Sequence, residues 1–265
     1  MNLQLKSKVS IVTGASRGIG KAISKKLASE GSNIALVARS EKDLENVKSE
    51  ILSESNDIKC EYFICDTRFD EQVKKMITDV FSLFGSVDIL VNCAAMPASG
   101  TSSIDSFEGE DLMEQIDVKV SGYLRCAKYA SKYMKDNGWG RIINISGLNA
   151  RISGNLIGSI RNISVSSLTK NLADDLGPYG INTTVVHPGM TYTERSNGMI
   201  KDLAKKKSIT FEEANELLLK NNSIKSVIDS EDIANIVLFL SSPLSKAING
   251  DAIAAGGGTR GSIYY

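Results

Sequence analysis

Residues 8–31 read "KVSIVTGASRGIGKAISKKLASEG", and this stretch decides the fold. "KVSIVTG" is apolar and rich in β-branched residues, which suits a short buried strand. From residue 18 to residue 31, Ile19, Ile23 and Leu27 recur at helical spacing. Between strand and helix lies "TGASRGIG", Thr13 to Gly20. Gly14 allows a tight turn, Gly18 lets backbone approach a phosphate, and Gly20 lets the helix pack on the sheet. The helix N-terminus then offers free N–H groups and a positive dipole to an anion. A glycine pattern alone is weak. Its place between strand and helix is what makes it a dinucleotide-phosphate site.

The same alternation continues outward. "NIALVAR", "IKCEYFIC", "VDILVNCAA", "GRIINIS", "INTTVVHPG" and "GDAIAAGGG" read as strands. Amphipathic helices are expected over 41–54, 69–84, 108–137, about 157–177 and 229–241. Continuous apolar strands separated by helices imply an α/β fold: a doubly wound, Rossmann-type, mostly parallel seven-stranded sheet with helices on both faces. The chain is expected to form one domain over 1–265. Residues 190–228 break the rhythm. They carry "KDLAKKK" and a helix start in which Thr210 precedes Glu213 by three. Because this segment follows "HPG" at a strand's C-terminal end, it is expected to form a lid over a ligand pocket.

Composition excludes several partner classes. Lys+Arg and Asp+Glu are both 31, so the formal net charge is zero and nothing favours nucleic acid or an anionic membrane. No apolar run approaches the roughly eighteen residues of a membrane span, and "MNLQLKSKVSIVTG" lacks a signal-peptide core. Cys60, Cys65, Cys93 and Cys126 have no paired metal spacing. They read as reduced thiols in a cytoplasmic protein, with no metal site expected.

The form Thr-Gly-x-x-x-Gly-x-Gly resembles the short-chain dehydrogenase/reductase family, and the resemblance spans nearly the whole chain. "CDT" (Asp66, Thr67) is similar to the family's adenine contact. "NCAA", with Asn92, Ala94 and Ala95, is similar to its Asn-Asn-Ala-Gly segment beside the cofactor ribose. "PGMTYT", with Pro188, Gly189, Thr191 and Thr193, is similar to the segment that holds the nicotinamide carboxamide. "INGDAIAAGGG" is similar to the C-terminal strand, with Gly256 where the family usually has Asp. With Gly14, Ser16, Arg17, Gly18, Ile19 and Gly20 these complete the expected cofactor site. NAD binders usually end the second strand with an acid that holds the ribose 2′-OH. Here that place reads Ala38, Arg39, Ser40. Arg39 and Arg17 suit a 2′-phosphate, so NADP(H) is favoured over NAD(H).

The resemblance also implies a catalytic Asn-Ser-Tyr-Lys tetrad, and none of its residue types is in place. The positions fall on Lys119, Gly147, Gly158 and Asn162. No tyrosine lies between Met134 and Pro178, so no change of register restores the set. The loop after Gly147 is about two residues shorter than the family pattern. Four residues are candidates to replace it. Asn162 could bond a ribose, Arg161 could polarise a carbonyl, and Ser146 could donate to a substrate oxygen. Lys119, if desolvated, could act as an acid or base. Each also has a plain structural role: helix-surface cation for Arg161, solvated or paired charge for Lys119, strand-end hydroxyl for Ser146. His187 reads as a satisfied structural histidine, and Gly158 as an opening left for substrate.

The expectation is an NADP(H)-dependent oxidoreductase with non-standard catalytic residues, acting on a carbonyl, hydroxyl or activated double bond of a small molecule. The alternative is a catalytically silent nucleotide-binding sensor or partner subunit. A lyase or isomerase fits less well, because the whole cofactor site is retained. The resemblance further implies a homo-oligomer, dimer or tetramer, paired through helices 108–137 and 157–177.

Overall fold

The computed structural model describes residues 2–96, 104–194, 196–220 and 222–260. Among them, seven strands form one sheet: β1 Val9–Thr13, β2 Asn33–Ala38, β3 Cys60–Ile64, β4 Ile89–Asn92, β5 Gly140–Ile145, β6 Ile181–Pro188 and β7 Ala252–Ala255. Their order is β3-β2-β1-β4-β5-β6-β7, and every pairing is parallel. The helices are α1 Gly18–Ser29, α2 Glu41–Glu54, α3 Asp70–Phe84, α4 Gly109–Ile116, α5 Gly122–Asp136, α6 Leu156–Leu176, α7 Ser196–Lys207, α8 Phe211–Leu219 and α9 Ser230–Ser241.

Strand residues alternate between two apolar layers, as the period of two requires. Ile34 and Leu36 of β2 join Ile23 and Leu27 of α1 and Ile233 and Val237 of α9. Ala35 and Val37 of the same strand face the opposite layer, with Val73 and Ile77 of α3 and Ala130 and Met134 of α5. Both faces of the sheet are therefore covered, which is why the strands read as unbroken apolar runs. Truncating one of these side chains, Leu36→Ala for example, should cost about 2–5 kcal/mol.

Two features position the site. β1 lies between β2 and β4, so the chain leaves it toward opposite sides, and a crevice opens at the strands' C-terminal ends. The expected helix 108–137 is continuous but not uniform. Between α4 and α5, residues Asp117–Ser121 form a π turn. Such a turn inserts one extra residue and is common at functional sites, and Lys119 stands in its middle.

Of the expected lid, residues 195 and 221 lie outside the described residues. The rest carries α7 and α8, which pack on each other through Ile200, Ala204 and Ala214 as a separate small cluster. The capping box expected at its second helix is formed: Thr210 Oγ1 accepts from Glu213 N–H, and the Glu213 carboxylate accepts from Thr210 N–H. No helix among the described residues is long and apolar enough to cross a membrane.

Candidate active site

The crevice between β1 and β4 holds a cleft of about 390 Å³. Gly14 turns the chain at φ +69, and a Cβ there would lie 2.9 Å from the Ala94 Cα. At Gly20 a Cβ would lie 2.3 Å from the Gly14 carbonyl oxygen. No side chain fits at either position, and the loop stays backbone-lined. Thr13 ties it to the next strand, its Oγ1 accepting from the N–H groups of Cys93 and Ala94 at 3.0 and 3.2 Å. Ser16, Arg17, Gly18 and Ile19 line the cleft with these glycines, as a dinucleotide's phosphates require.

Arg39, Asp66 and Thr67 line another part of the same cleft, and so do Ala94, Ala95 and Thr193. Asp66 is clamped by Arg68, whose Nε and Nη2 donate to its carboxylate at 3.1 and 2.6 Å. Those bonds hold its pKa below the usual carboxylate range. Arg39 stands 4.0 Å from the same carboxylate and remains largely exposed. Asp43, from the first turn of α2, also lines the cleft, so one acid does lie near the arginines beyond the strand-end position. Asn92, Asn162, Pro188, Gly189 and Thr191 are not among the lining residues. Asn92 is fully buried, and its Nδ2 donates to Asn144 Oδ1 at 2.9 Å, fastening β4 to β5.

Glu194 was not legible in the sequence as a site residue. Its Oε2 accepts from Gly18 N–H at 3.1 Å, so a carboxylate from the segment after β6 caps the glycine loop. It stands where the helix N-terminus would meet a phosphate.

At the catalytic end, all four candidates form one network. Lys119 is 3% exposed and faces the cleft. Its Nζ donates to the Ser146 carbonyl at 2.9 Å and to Asn162 Oδ1 at 3.2 Å. Burial, reinforced by the Arg161 charge and opposed by Cys93, lowers its pKa from 10.5 to about 7. The solvated-cation role is thus excluded for Lys119, and the helix-surface role for Arg161, which is 6% exposed. Arg161 Nη1 donates to Gln115 Oε1, and its Nε donates to Asn162 Oδ1 at 3.4 Å. Ser146 lines the cleft, but its hydroxyl donates to the Asn162 carbonyl at 3.0 Å rather than standing free.

The positions expected for the tetrad's serine and tyrosine are filled, not open. A Cβ at Gly147 would lie 2.8 Å from Asn162 Nδ2. Gly158 corrects the expectation of an opening for substrate: a Cβ there would lie 2.7 Å from Asn155 Oδ1. That oxygen accepts from Gly158 N–H at 2.7 Å and caps α6, so the cap occupies the space. At Gly256 a Cβ would lie 2.5 Å from Leu148 Cδ1, which explains why no aspartate stands there. His187 is fully buried between Gly147 and Ser166. Burial lowers its pKa to about 4, so it stays neutral and structural.

Comparison with known proteins gives the class. A family model described as enoyl-(acyl carrier protein) reductase matches residues 14–260. The chain is 30% identical over 261 residues to the NADPH-dependent reductase BacG of Bacillus subtilis, covering 98% of this chain and all of that protein. It is 31% identical over 263 residues to a 3alpha-hydroxysteroid dehydrogenase of Mediterraneibacter gnavus, covering 98% of this chain and 100% of that one. The crystal structure of L-sorbose reductase from Gluconobacter frateurii, complexed with NADPH and L-sorbose, superposes with a TM-score of 0.93. It has 26% identity, with coverage of 99% of this chain and 100% of that chain. The chain belongs to the short-chain dehydrogenase/reductase family and is an oxidoreductase of that type.

Proposed function

We propose that the protein is an NADP(H)-dependent oxidoreductase acting on a small carbonyl or hydroxyl compound, with Lys119 in place of the family's tyrosine as proton donor and acceptor. The observation that carries this reading is the Lys119 amine. It is buried, faces the cleft, and has a pKa of about 7, close to the value a general acid needs at neutral pH. Arg17 and Arg39 support NADP(H), since both line the cleft and Ala38 places no acid at the end of β2. The backbone cradle at Gly14, Gly18 and Gly20 fits the pyrophosphate.

When bound, NADP(H) supplies or accepts the hydride. The chain's own residues handle the proton and the orientation. Asn162 Oδ1 and the Ser146 carbonyl aim the Lys119 amine and leave its third N–H direction for a substrate oxygen. In reduction, that amine gives its proton to the developing alkoxide; in oxidation it takes the proton back. Asn162 acts as a positioning residue, because its oxygen is shared by Lys119 and Arg161. Residues 190–228 serve as a lid, and opening the Glu194–Gly18 contact admits the phosphates.

The test is NADPH binding by fluorescence, followed by a carbonyl and enone screen read as NADPH consumption. One observation favours a second reading, a silent nucleotide-binding protein: the Ser146 hydroxyl is spent on the Asn162 carbonyl. Tight NADPH binding with no turnover on any substrate would favour that reading.

A further inference from the structure

Lys119 and Arg161 are both nearly fully enclosed, at 3% and 6% exposure. Both donate to one neutral oxygen, Asn162 Oδ1, so two cationic side chains are held side by side. Arg161's other partner is the neutral amide of Gln115. Among the described residues neither cation forms an ion pair. Arg161 and the Cys93 thiol act on Lys119, and the Tyr123 hydroxyl acts on Arg161; no carboxylate is among these groups. Every acid lining the cleft, Asp43, Asp66 and Glu194, stands with the phosphate and adenosine residues instead. The sequence of residues 97–103 adds no acidic side chain.

A buried guanidinium without a counter-charge is costly, and it cannot lower that cost by losing its proton. Native structures normally pair such a group with a carboxylate. Here the partner is missing on an arginine that does not itself line the cleft but shares Asn162 Oδ1 with Lys119, which does. We infer that the substrate is an oxo acid: a carbonyl compound whose own carboxylate enters between Lys119 and Arg161 and pairs with the Arg161 fork. The planar guanidinium suits a planar carboxylate with two parallel hydrogen bonds. The same charge would act on the proton donor. Arg161 pushes the Lys119 pKa down, and a bound carboxylate offsets that push. The substrate thereby helps to keep its own proton donor charged, and neutral carbonyl compounds do not.

This inference rests on the oxidoreductase reading, and one experiment separates the two. Binding is measured by isothermal titration calorimetry with and without saturating NADPH. The probes are pyruvate, acetoacetate and phenylpyruvate, each against its methyl ester, with dihydroxyacetone phosphate as an anion of different shape. At least one acid should bind about 10- to 100-fold more tightly than its ester, the range of a charged hydrogen-bonded pair. Arg161→Gln should abolish that preference while NADPH affinity stays the same, and Arg161→Lys should keep part of it. The comparison of acid with ester in the unmodified protein decides the matter even if a variant fails to fold. Equal or weaker binding of every acid, no binding of any acid, binding of the phosphate alone, or a preference that survives in Arg161→Gln would each overturn the inference. Failure of the oxidoreductase reading shows separately, as absent NADPH binding or absent NADPH consumption.

Discussion

Replacing Lys119 by methionine keeps most of the side-chain volume and removes the amine, and two effects follow. Folding stability should lose a specific dependence on pH. In the folded protein the amine has a pKa of about 7, lowered chiefly by burial and then by Arg161, against the ordinary 10.5. Between those values the unfolded chain carries a proton that the folded chain does not, so stability rises with pH. Equivalently, this stability is lost as pH falls toward 7. Across the whole window the effect is about 5 kcal/mol, and between pH 7.5 and 8.5 it is about 1 kcal/mol. The comparison of the two proteins isolates Lys119: burial raises all four thiols, whose opposite slope both proteins share, and His187 titrates near 4. Urea denaturation of both proteins at pH 7.5 and 8.5 provides the assay. The unmodified protein should gain about 1 kcal/mol relative to Lys119→Met over that step. Turnover should fall by about 10²–10⁴, the usual contribution of a general acid. An identical pH response in both proteins would refute the buried, neutral amine.

Arg39→Ala should weaken NADPH binding about tenfold and leave NADH binding unchanged, as read by fluorescence titration; equal affinity for both cofactors in the unmodified protein would contradict the NADP(H) assignment. Glu194→Gln removes the charge that caps Gly18 N–H and should tighten NADPH binding several-fold; weaker binding would show that Glu194 serves the cofactor rather than competing with it. Gly158→Tyr combined with Asn162→Lys should not create an efficient ketone reductase. The new Cβ displaces the Asn155 cap, at a cost of about 1 kcal/mol, and the new lysine faces Lys119; a large gain on ordinary ketones would contradict a rebuilt site. Leu124 on α5 and Ile160 and Ile163 on α6 leave apolar surface exposed, so light scattering should give a dimer or tetramer, reduced to monomer by Ile163→Asp; a monomeric unmodified protein would count against pairing there.

The sheet was legible because its strands are covered on both faces and its helices carry clear apolar stripes; residues 8–31 alone gave strand, turn and helix in the right places. The lack of a tyrosine between Met134 and Pro178 was legible too, since it needs no structure to notice. What packs against Gly18, Gly158 and Gly256 was not. Leu148 against Gly256, Asn155 over Gly158 and Glu194 on Gly18 are contacts set by tertiary packing, and the last spans 176 residues. Nothing in the composition of "IDVKVSG" marks a π turn, because that turn is a packing compromise within a helix. The burial of Arg161 was missed because a helix-surface role is the commoner one for an arginine in a polar-looking helix.

If Lys119 supplies the proton in an NADPH-dependent reduction, its titration must show in the pH dependence of kcat/KM for the unmodified enzyme, followed from pH 6 to 9, because kcat/KM reports the free enzyme's essential acid. The expected profile is a plateau at low pH and a fall of about tenfold per pH unit above about 7, where Lys119 loses its proton. A flat profile across that range, or a break only near 10, would contradict it.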